Sequence, residues 1–446
     1  MNRTRITIAA LVTLCLVPGF GSAAAASEPI DSLYDPAAVA VANEWGIPLD
    51  DAQYRVQQQP ALEAITVALG QQYPDDFAGA YIDQQNSGTV HFQAKEWPTA
   101  MLMKLHLLMP QNIPSETDTV KFSLADLNRL WPDVTAALPV NVGIVTDVHI
   151  WDDTLRVALY NDASDRSQVR DALKAKFGAA VSFEETNPRL PAPSGAYLGS
   201  CSVPTETVIF TCIAPTRGGP RMFPATNHAA YCSIGFNVRS NSNSIPYVLT
   251  AGHCIQETGG NLVDWFAARP DGSTYPLGKS HSYIVSSASD SGIVQVNSEL
   301  TFGAGRVAVA ASTGGGHPTS VNDSYPISST PGASGSLVGQ YICKSGATGG
   351  TGCGRLQAVN HTSPDTGNTG FGELVFDQNA NGIYYHYACA GDSGGPIFVS
   401  GVGYGITDEG QGPIVTDYNG QPCYGIDNYR SLNEALGQRN VHLVGP

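Results

Sequence analysis

The chain has 446 residues, of which 42% are hydrophobic and only 14% charged, against about 25% charged in an average globular protein. Its 23 Lys and Arg set against 39 Asp and Glu leave a net charge of −16, which repels phosphate backbones and excludes nucleic acid as the partner. Of 48 glycines, nine fall at or before Gly195 and 39 after it, so a domain boundary is expected there.

Residues 1–26 read as an export signal: Arg3 and Arg5, an apolar run over 6–20, then small residues including Ala24 and Ala26, with cleavage before Ser27. The apolar run is shorter than the ~20 residues that span a bilayer. A secreted, extracellular product that leaves the membrane once the signal is removed is expected.

Over 36–73 the apolar positions recur at helical spacing, with Pro48 opening a second helix and Pro60 expected to kink or break it. Residues 81–92 read as a hairpin around Asn86-Ser87-Gly88. Strands are expected over 145–150, 156–160 and 181–183, with an amphipathic helix over 165–177 ended by Gly178. Residues 27–195 thus form an α+β region without a catalytic motif. The stretch 187–195 is rich in proline and small residues, as an exposed linker open to proteolytic separation is. Beyond it, short Val, Ile, Tyr and Thr runs broken by Gly, Asn, Ser and Pro predict an all-β sandwich or barrel over 196–446. Residues 431–437 give the best helical signal there.

Nine cysteines are present, and Cys15 leaves with the signal. The remaining eight, Cys201, Cys212, Cys232, Cys254, Cys343, Cys353, Cys389 and Cys423, all follow Gly195. An even number in an exported chain points to disulfides, and eight cysteines allow 105 pairings. No C-x-x-C or H-E-x-x-H is present, so neither a metal nor another cofactor is expected. Asp377-Gln378-Asn379-Ala380-Asn381-Gly382 begins like a calcium loop, but Ala388 stands where the bidentate glutamate belongs. The glycine run at 314–316 lacks the Lys and Ser/Thr of a phosphate-binding loop.

Three short motifs carry chemistry together: Leu249-Thr250-Ala251-Gly252-His253-Cys254, Ser289-Asp290-Ser291-Gly292-Ile293-Val294 and Gly391-Asp392-Ser393-Gly394-Gly395-Pro396. A serine hydroxyl needs a base within reach and a buried carboxylate to hold that base in the right tautomer. His253, Asp290 and Ser393 supply these three groups. Attack on a carbonyl also creates an oxyanion, for which the N–H groups of Gly391 and Ser393 are the expected donors.

On these motifs the chain resembles the secreted bacterial chymotrypsin-like serine proteases of the streptogrisin and α-lytic protease branch. The similarity extends to the Cys232-to-Val238 run, to Cys343-Lys344-Ser345-Gly346 with Gly352-Cys353-Gly354, and to residues 156–183, which resemble the last α/β unit of the family's propeptides. The resemblance implies two six-stranded antiparallel β-barrels, with the barrel core from about 217, preceded by an α+β propeptide over 27–195 that assists folding and inhibits the enzyme until cut. It implies the pairs Cys232–Cys254, Cys343–Cys353 and Cys389–Cys423, leaving Cys201 and Cys212 to pair locally. It also implies that Lys344 neutralises Asp392 in a buried ion pair. By the same alignment Tyr387 falls at the base of the primary pocket, and Thr407, Asp408, Glu409 and Gly410 lie on the strand that binds substrate backbone. Acidic groups on the pocket wall favour Arg or Lys at the cleavage site, and solvated ones do not; a basic or mid-sized residue is expected there.

The expected activity is that of a monomeric endopeptidase acting on protein or peptide substrates by acyl transfer. A serine esterase is the nearest rival, because Gly391-Asp392-Ser393-Gly394-Gly395 also fits G-x-S-x-G. In α/β-hydrolases, however, the serine precedes the acid and the histidine, whereas here it follows both. A non-catalytic or narrowly specific binding module on a protease fold is the other alternative. Such modules typically lose a member of the triad, and all three are present.

Overall fold

The structure, a computed structural model, describes residues 34–186 and 210–445 except short stretches at 140–141, 162, 213, 270–271, 298–301, 312–319, 332–336, 365, 377–385 and 419–420. The export signal, the 187–195 linker, Cys201, the glycine run and the calcium-like sequence lie outside the described residues. Asp35 starts helix α1 (Pro36–Trp45) by accepting a hydrogen bond from Ala37 N at 2.9 Å, and Gly46 ends it at φ 62°. Helix α2 (Leu49–Gln72) runs unbroken through Pro60, where a kink or break is expected. The carbonyl that Pro60 leaves without its helical donor is that of Val56, and Ser400 Oγ donates to it at 3.3 Å.

Strands β1 (Phe77–Asp83) and β2 (Thr89–Ala94) form the expected hairpin, with helix α3 (Thr99–Leu108) and strand β3 (Ser115–Thr119), parallel to β2, after it. A capping box between Ser123 and Asp126 opens helix α4 (Leu124–Ala137). Strands β4 (Gly143–His149) and β5 (Thr154–Tyr160) are antiparallel, and helix α5 (Arg166–Phe177) returns the chain to β6 (Val181–Thr186), parallel to β5. Each of the two three-stranded sheets has its own apolar core, around Phe77, Phe92 and Leu105 in the first and Leu155, Val157 and Leu173 in the second.

The β-rich part begins with β7 (Arg221–Pro224), β8 (Cys232–Ser233), β9 (Asn237–Ser240) and β10 (Pro246–Thr250), then helix α6 (Gly252–Glu257). It continues with β11 (Asp264–Ala268), β12 (Thr274–Ser286), β13 (Ser289–Val296) and a separate ribbon of β14 (Arg306–Ala311) and β15 (Ser320–Pro326). The second half holds β16 (Tyr341–Gly346), β17 (Gly350–His361), β18 (Phe371–Phe376), β19 (Ala388–Cys389), β20 (Pro396–Val399), β21 (Val402–Tyr418) and β22 (Gln421–Ser431). Helix α7 (Leu432–Arg439), entered one residue later than expected because Ser431 takes the cap position, leads to β23 (Val441–Leu443).

These strands make the two halves of an all-β, chymotrypsin-like double barrel. In the second half, β18-β17-β16-β20-β21-β22 closes into a six-stranded barrel through the β18–β22 pairing. The first half differs from a closed six-stranded barrel. It is an eight-stranded antiparallel sheet in the order β23-β9-β10-β13-β12-β11-β7-β8, with its two end strands not paired to each other among the described residues. The C-terminal strand β23 extends it by pairing with β9.

The N-terminal helices are built into the second barrel. Ala37, Val41 and Val56 share one buried core with Tyr341, Leu356 and Phe398, and burying a side chain the size of Val or Phe contributes about 1.5–3 kcal/mol. Gln59 uses both ends of its amide on one residue: Nε2 donates to Tyr341 O at 3.0 Å and Oε1 accepts from Tyr341 N at 2.7 Å. Asp35 Oδ2 accepts from Tyr325 OH at 2.5 Å and from Ser400 N at 2.7 Å.

Candidate active site

His253 sits in the first turn of α6, directly after β10, and Asp290 near the start of β13. The two strands are neighbours with Thr250 opposite Gly292, which brings the side chains together. Asp290 uses both oxygens on His253: Oδ1 accepts from the backbone N at 2.7 Å, and Oδ2 lies 2.6 Å from Nδ1. This assigns the proton to Nδ1 and leaves Nε2 as the basic nitrogen of the neutral ring. Burial alone would lower the imidazole, but the charge of Asp290, the hydrogen bond to it and the charge of Asp408 raise it to about 9. Burial works against ionisation of Asp290, yet the charge and hydrogen bond of His253 hold its carboxyl below the ordinary value. A disulfide from Cys254 to Cys232 fastens α6 to β8.

Ser393 lies in the turn between β19 and β20, half-buried. Gly391 and Gly394 have φ of 95° and 81°, conformations that L side chains rarely adopt. A Cβ at Gly394 would also run into Thr250 Oγ1. Within this turn the N–H groups of Asp392, Gly394 and Gly395 donate to Cys389 O, Thr407 O and Asp392 O. Those of Gly391 and Ser393 make no hydrogen bond among the described residues, so two donors remain available for an oxyanion. The Ser393 hydroxyl donates to Asp408 O at 3.4 Å. It makes no hydrogen bond to the His253 ring among the described residues, a contact that free enzymes often close only on substrate.

The first half of the barrel pair grips this turn. Ser233 N donates to Ser393 O at 2.9 Å, and Ser233 Oγ donates to Gly391 O at 2.9 Å. Lys344 Nζ and Asp392 Oδ2 form a fully buried ion pair. Asp392 also accepts from Thr348 N at 2.8 Å, Gly349 N at 2.9 Å and Cys389 N at 2.9 Å, so its carboxylate is saturated with donors. Disulfides join Cys343 to Cys353 across β16 and β17, and Cys389 to Cys423 across β19 and β22. Cys212 is disulfide-bonded, and its expected partner Cys201 lies outside the described residues.

The expected pocket residues divide. Tyr387 is half-buried just ahead of β19. Thr407 is buried and donates to Asp427 Oδ2 at 3.0 Å. Asp408 is paired rather than free: its Oδ2 accepts from Arg430 Nε at 2.6 Å, and its Oδ1 lies 3.8 Å from His253 Nδ1. The cause is a bulge in the β21–β22 pairing between Thr407 and Glu409, which re-aims the residue between them. Glu409 accepts from Thr366 Oγ1 at 3.2 Å and Asn428 Nδ2 at 3.3 Å, while Gly410 pairs with Asp427. Sequence reasoning missed Arg430, Ser233 and Asp427. Asp427 is fully buried, its Oδ1 has no hydrogen-bond partner among the described residues, and burial raises its carboxyl to about 7.

The fold and these side chains define the class of the chymotrypsin-like serine endopeptidases. The trypsin family profile matches residues 222–421, and the chain is 33% identical over 183 residues to Serine protease 2 of Streptomyces fradiae, covering 41% of this chain and 87% of that protein. The chain belongs to this family of serine proteases. Streptogrisin-A of Streptomyces griseus is 29% identical over 213 residues, covering 47% of this chain but only 56% of its own length. Among solved structures, Thermobifida fusca protease A is 24% identical, with 52% of this chain and 98% of that one covered at a TM-score of 0.36.

Proposed function

We propose that the chain is made as a preproenzyme and secreted, and that its monomeric protease domain cleaves protein or peptide substrates through an acyl-enzyme on Ser393. The observation that carries this reading is the convergence of a carboxylate-held imidazole and a serine turn with two unused N–H donors. Ser393 Oγ attacks the peptide carbonyl carbon and passes its proton to His253 Nε2. The N–H groups of Gly391 and Ser393 hold the oxyanion, worth about 3–4 kcal/mol per donor in such sites. Imidazolium, stabilised by Asp290, returns the proton to the leaving amine, and water then releases the acyl group by the same relay. Residues 27–195 act as the proregion, a folding assistant and inhibitor. The contacts of Asp35, Gln59 and Ile82 with Tyr325, Tyr341 and Val338 support their binding to the protease domain.

The test is the intact mass of the secreted product after a fluorophosphonate probe, beside Ser393→Ala. One adduct, absent from the variant, on a chain of about 25–27 kDa is the expected result. A folded, processed chain that takes no adduct overturns the reading.

A further inference from the structure

The imidazole is flanked by two carboxyls. Asp290 Oδ2 lies 2.6 Å from His253 Nδ1 and Asp408 Oδ1 lies 3.8 Å from the same nitrogen, both side chains being nearly buried. Two carboxylates so close do not both ionise without cost. Asp408 is braced on its far side by Arg430, whose guanidinium also donates to Thr369 O and lies 4.0 Å from the centre of the Phe371 ring. The backbone that carries Asp408 is clamped to the serine turn, with Gly394 N donating to Thr407 O at 2.7 Å and Thr407 N to Gly395 O at 2.8 Å.

The geometry points to Asp408 as a positioning residue that shares one proton with Asp290, so that the two carboxyls, with Arg430 behind them, act as a single acid beside His253. This rests on the reading of His253 as the base for Ser393. When the shared proton is present, Asp408 donates to Asp290 and keeps that carboxylate aimed at Nδ1. When it leaves, a second negative charge faces the imidazole. The charged groups around the cluster come from four elements: His253 and Glu257 on α6, Asp290 on β13, Asp408 and Glu409 on β21, and Arg430 on β22. Burial and the charge of Asp290 raise Asp408 to about 8, against the pull of His253 and Arg430. The cluster therefore releases its protons in linked steps on the alkaline side of neutrality.

The experiment is the rate of fluorophosphonate labelling from pH 5 to 10 for the secreted protein, Asp408→Asn and Arg430→Met. Asp408→Asn keeps a donor to Asp290 but cannot acquire the second negative charge that faces the imidazole when the shared proton leaves, so the acid limb is expected to move down by about one pH unit. Arg430→Met removes the positive charge, so the limb is expected to move up. Opposite shifts separate positioning from mere support of the fold, which would lower the rate at every pH alike. An unmoved limb in folded Asp408→Asn overturns the proposal. If that variant fails to fold, an unmoved limb in Arg430→Met does so. A parent protein that is never labelled on Ser393 defeats the acyl-enzyme reading instead. The His253 ring titration by NMR in Ser393→Ala, assigned by its loss in His253→Ala, then decides on its own: a single simple proton release overturns the shared proton, and linked steps uphold it.

Discussion

Ser233 Oγ holds two turns of the second barrel to the first half: it donates to Gly391 O at 2.9 Å and accepts from Ala347 N at 2.8 Å. The turn that carries Ser393 is therefore anchored from both halves of the fold. Ser233→Ala leaves Ala347 N–H and Gly391 O unpartnered in a buried site, which costs about 1–3 kcal/mol. Because Gly391 is proposed as an oxyanion donor, kcat is expected to fall more than KM rises. Denaturant midpoints together with kcat and KM for a peptide amide check this, and an unchanged kcat sinks it.

The Lys344–Asp392 pair lies beneath the same turn with both side chains fully buried. Lys344→Met strands a carboxylate in the interior at a cost of about 3–5 kcal/mol. Loss of secreted, labelled enzyme is expected, and Asp392→Asn in the same chain is expected to recover part of it. Wild-type yield and activity from Lys344→Met alone would remove the pair from any structural role.

The contact between residues 34–186 and the barrels is expected to take up protons. Glu63 of α2 accepts from Tyr404 OH at 3.0 Å, and burial raises its carboxyl to about 7 from 4.5, the hydrogen bond pulling weakly the other way. A raised carboxyl adds to binding fully below the free value, and that contribution is lost as pH climbs through the bound one. Asp35 is raised by burial, in the same sense. Burial would lower His361, but the charges of Glu373 and Asp147 outweigh it and raise the ring, so its share also fades as pH rises. Asp147, held at about 2 by His361 and Arg156 against burial, contributes fully above its free value and loses that share only in strong acid, outside the range of the other groups. The cleaved proregion is expected to inhibit the enzyme about tenfold more weakly at pH 8 than at pH 5. Glu63→Gln is expected to flatten that dependence. Equal inhibition constants at both pH values would refute it.

Much of this was readable from residue order. Asp35-Pro36 and Gly46 bracket α1 by their own conformational preferences, and the three motifs around His253, Asp290 and Ser393 stand out because each pairs a reactive side chain with small neighbours. That Pro60 leaves α2 unbroken was not readable, because the partner that satisfies Val56 O is Ser400, more than three hundred positions along the chain. Helix α4 had a local signal in Ser123 and Asp126 that apolar periodicity does not register. Asp408 was noticed, but its pairing with Arg430 was not readable, since a strand alignment carries no information about a bulge at that residue. Arg430 became visible only once β21 and β22 were paired.

The amide of Gln59, bonded to both polar groups of Tyr341, imitates the peptide unit of a neighbouring strand. A protease domain freed of residues 27–195 presents that N–H and C=O to water, or to any extended chain that arrives. Gln59 thus works as a placeholder: while it is seated, the first residue of β16 has no vacancy for a stranger's backbone.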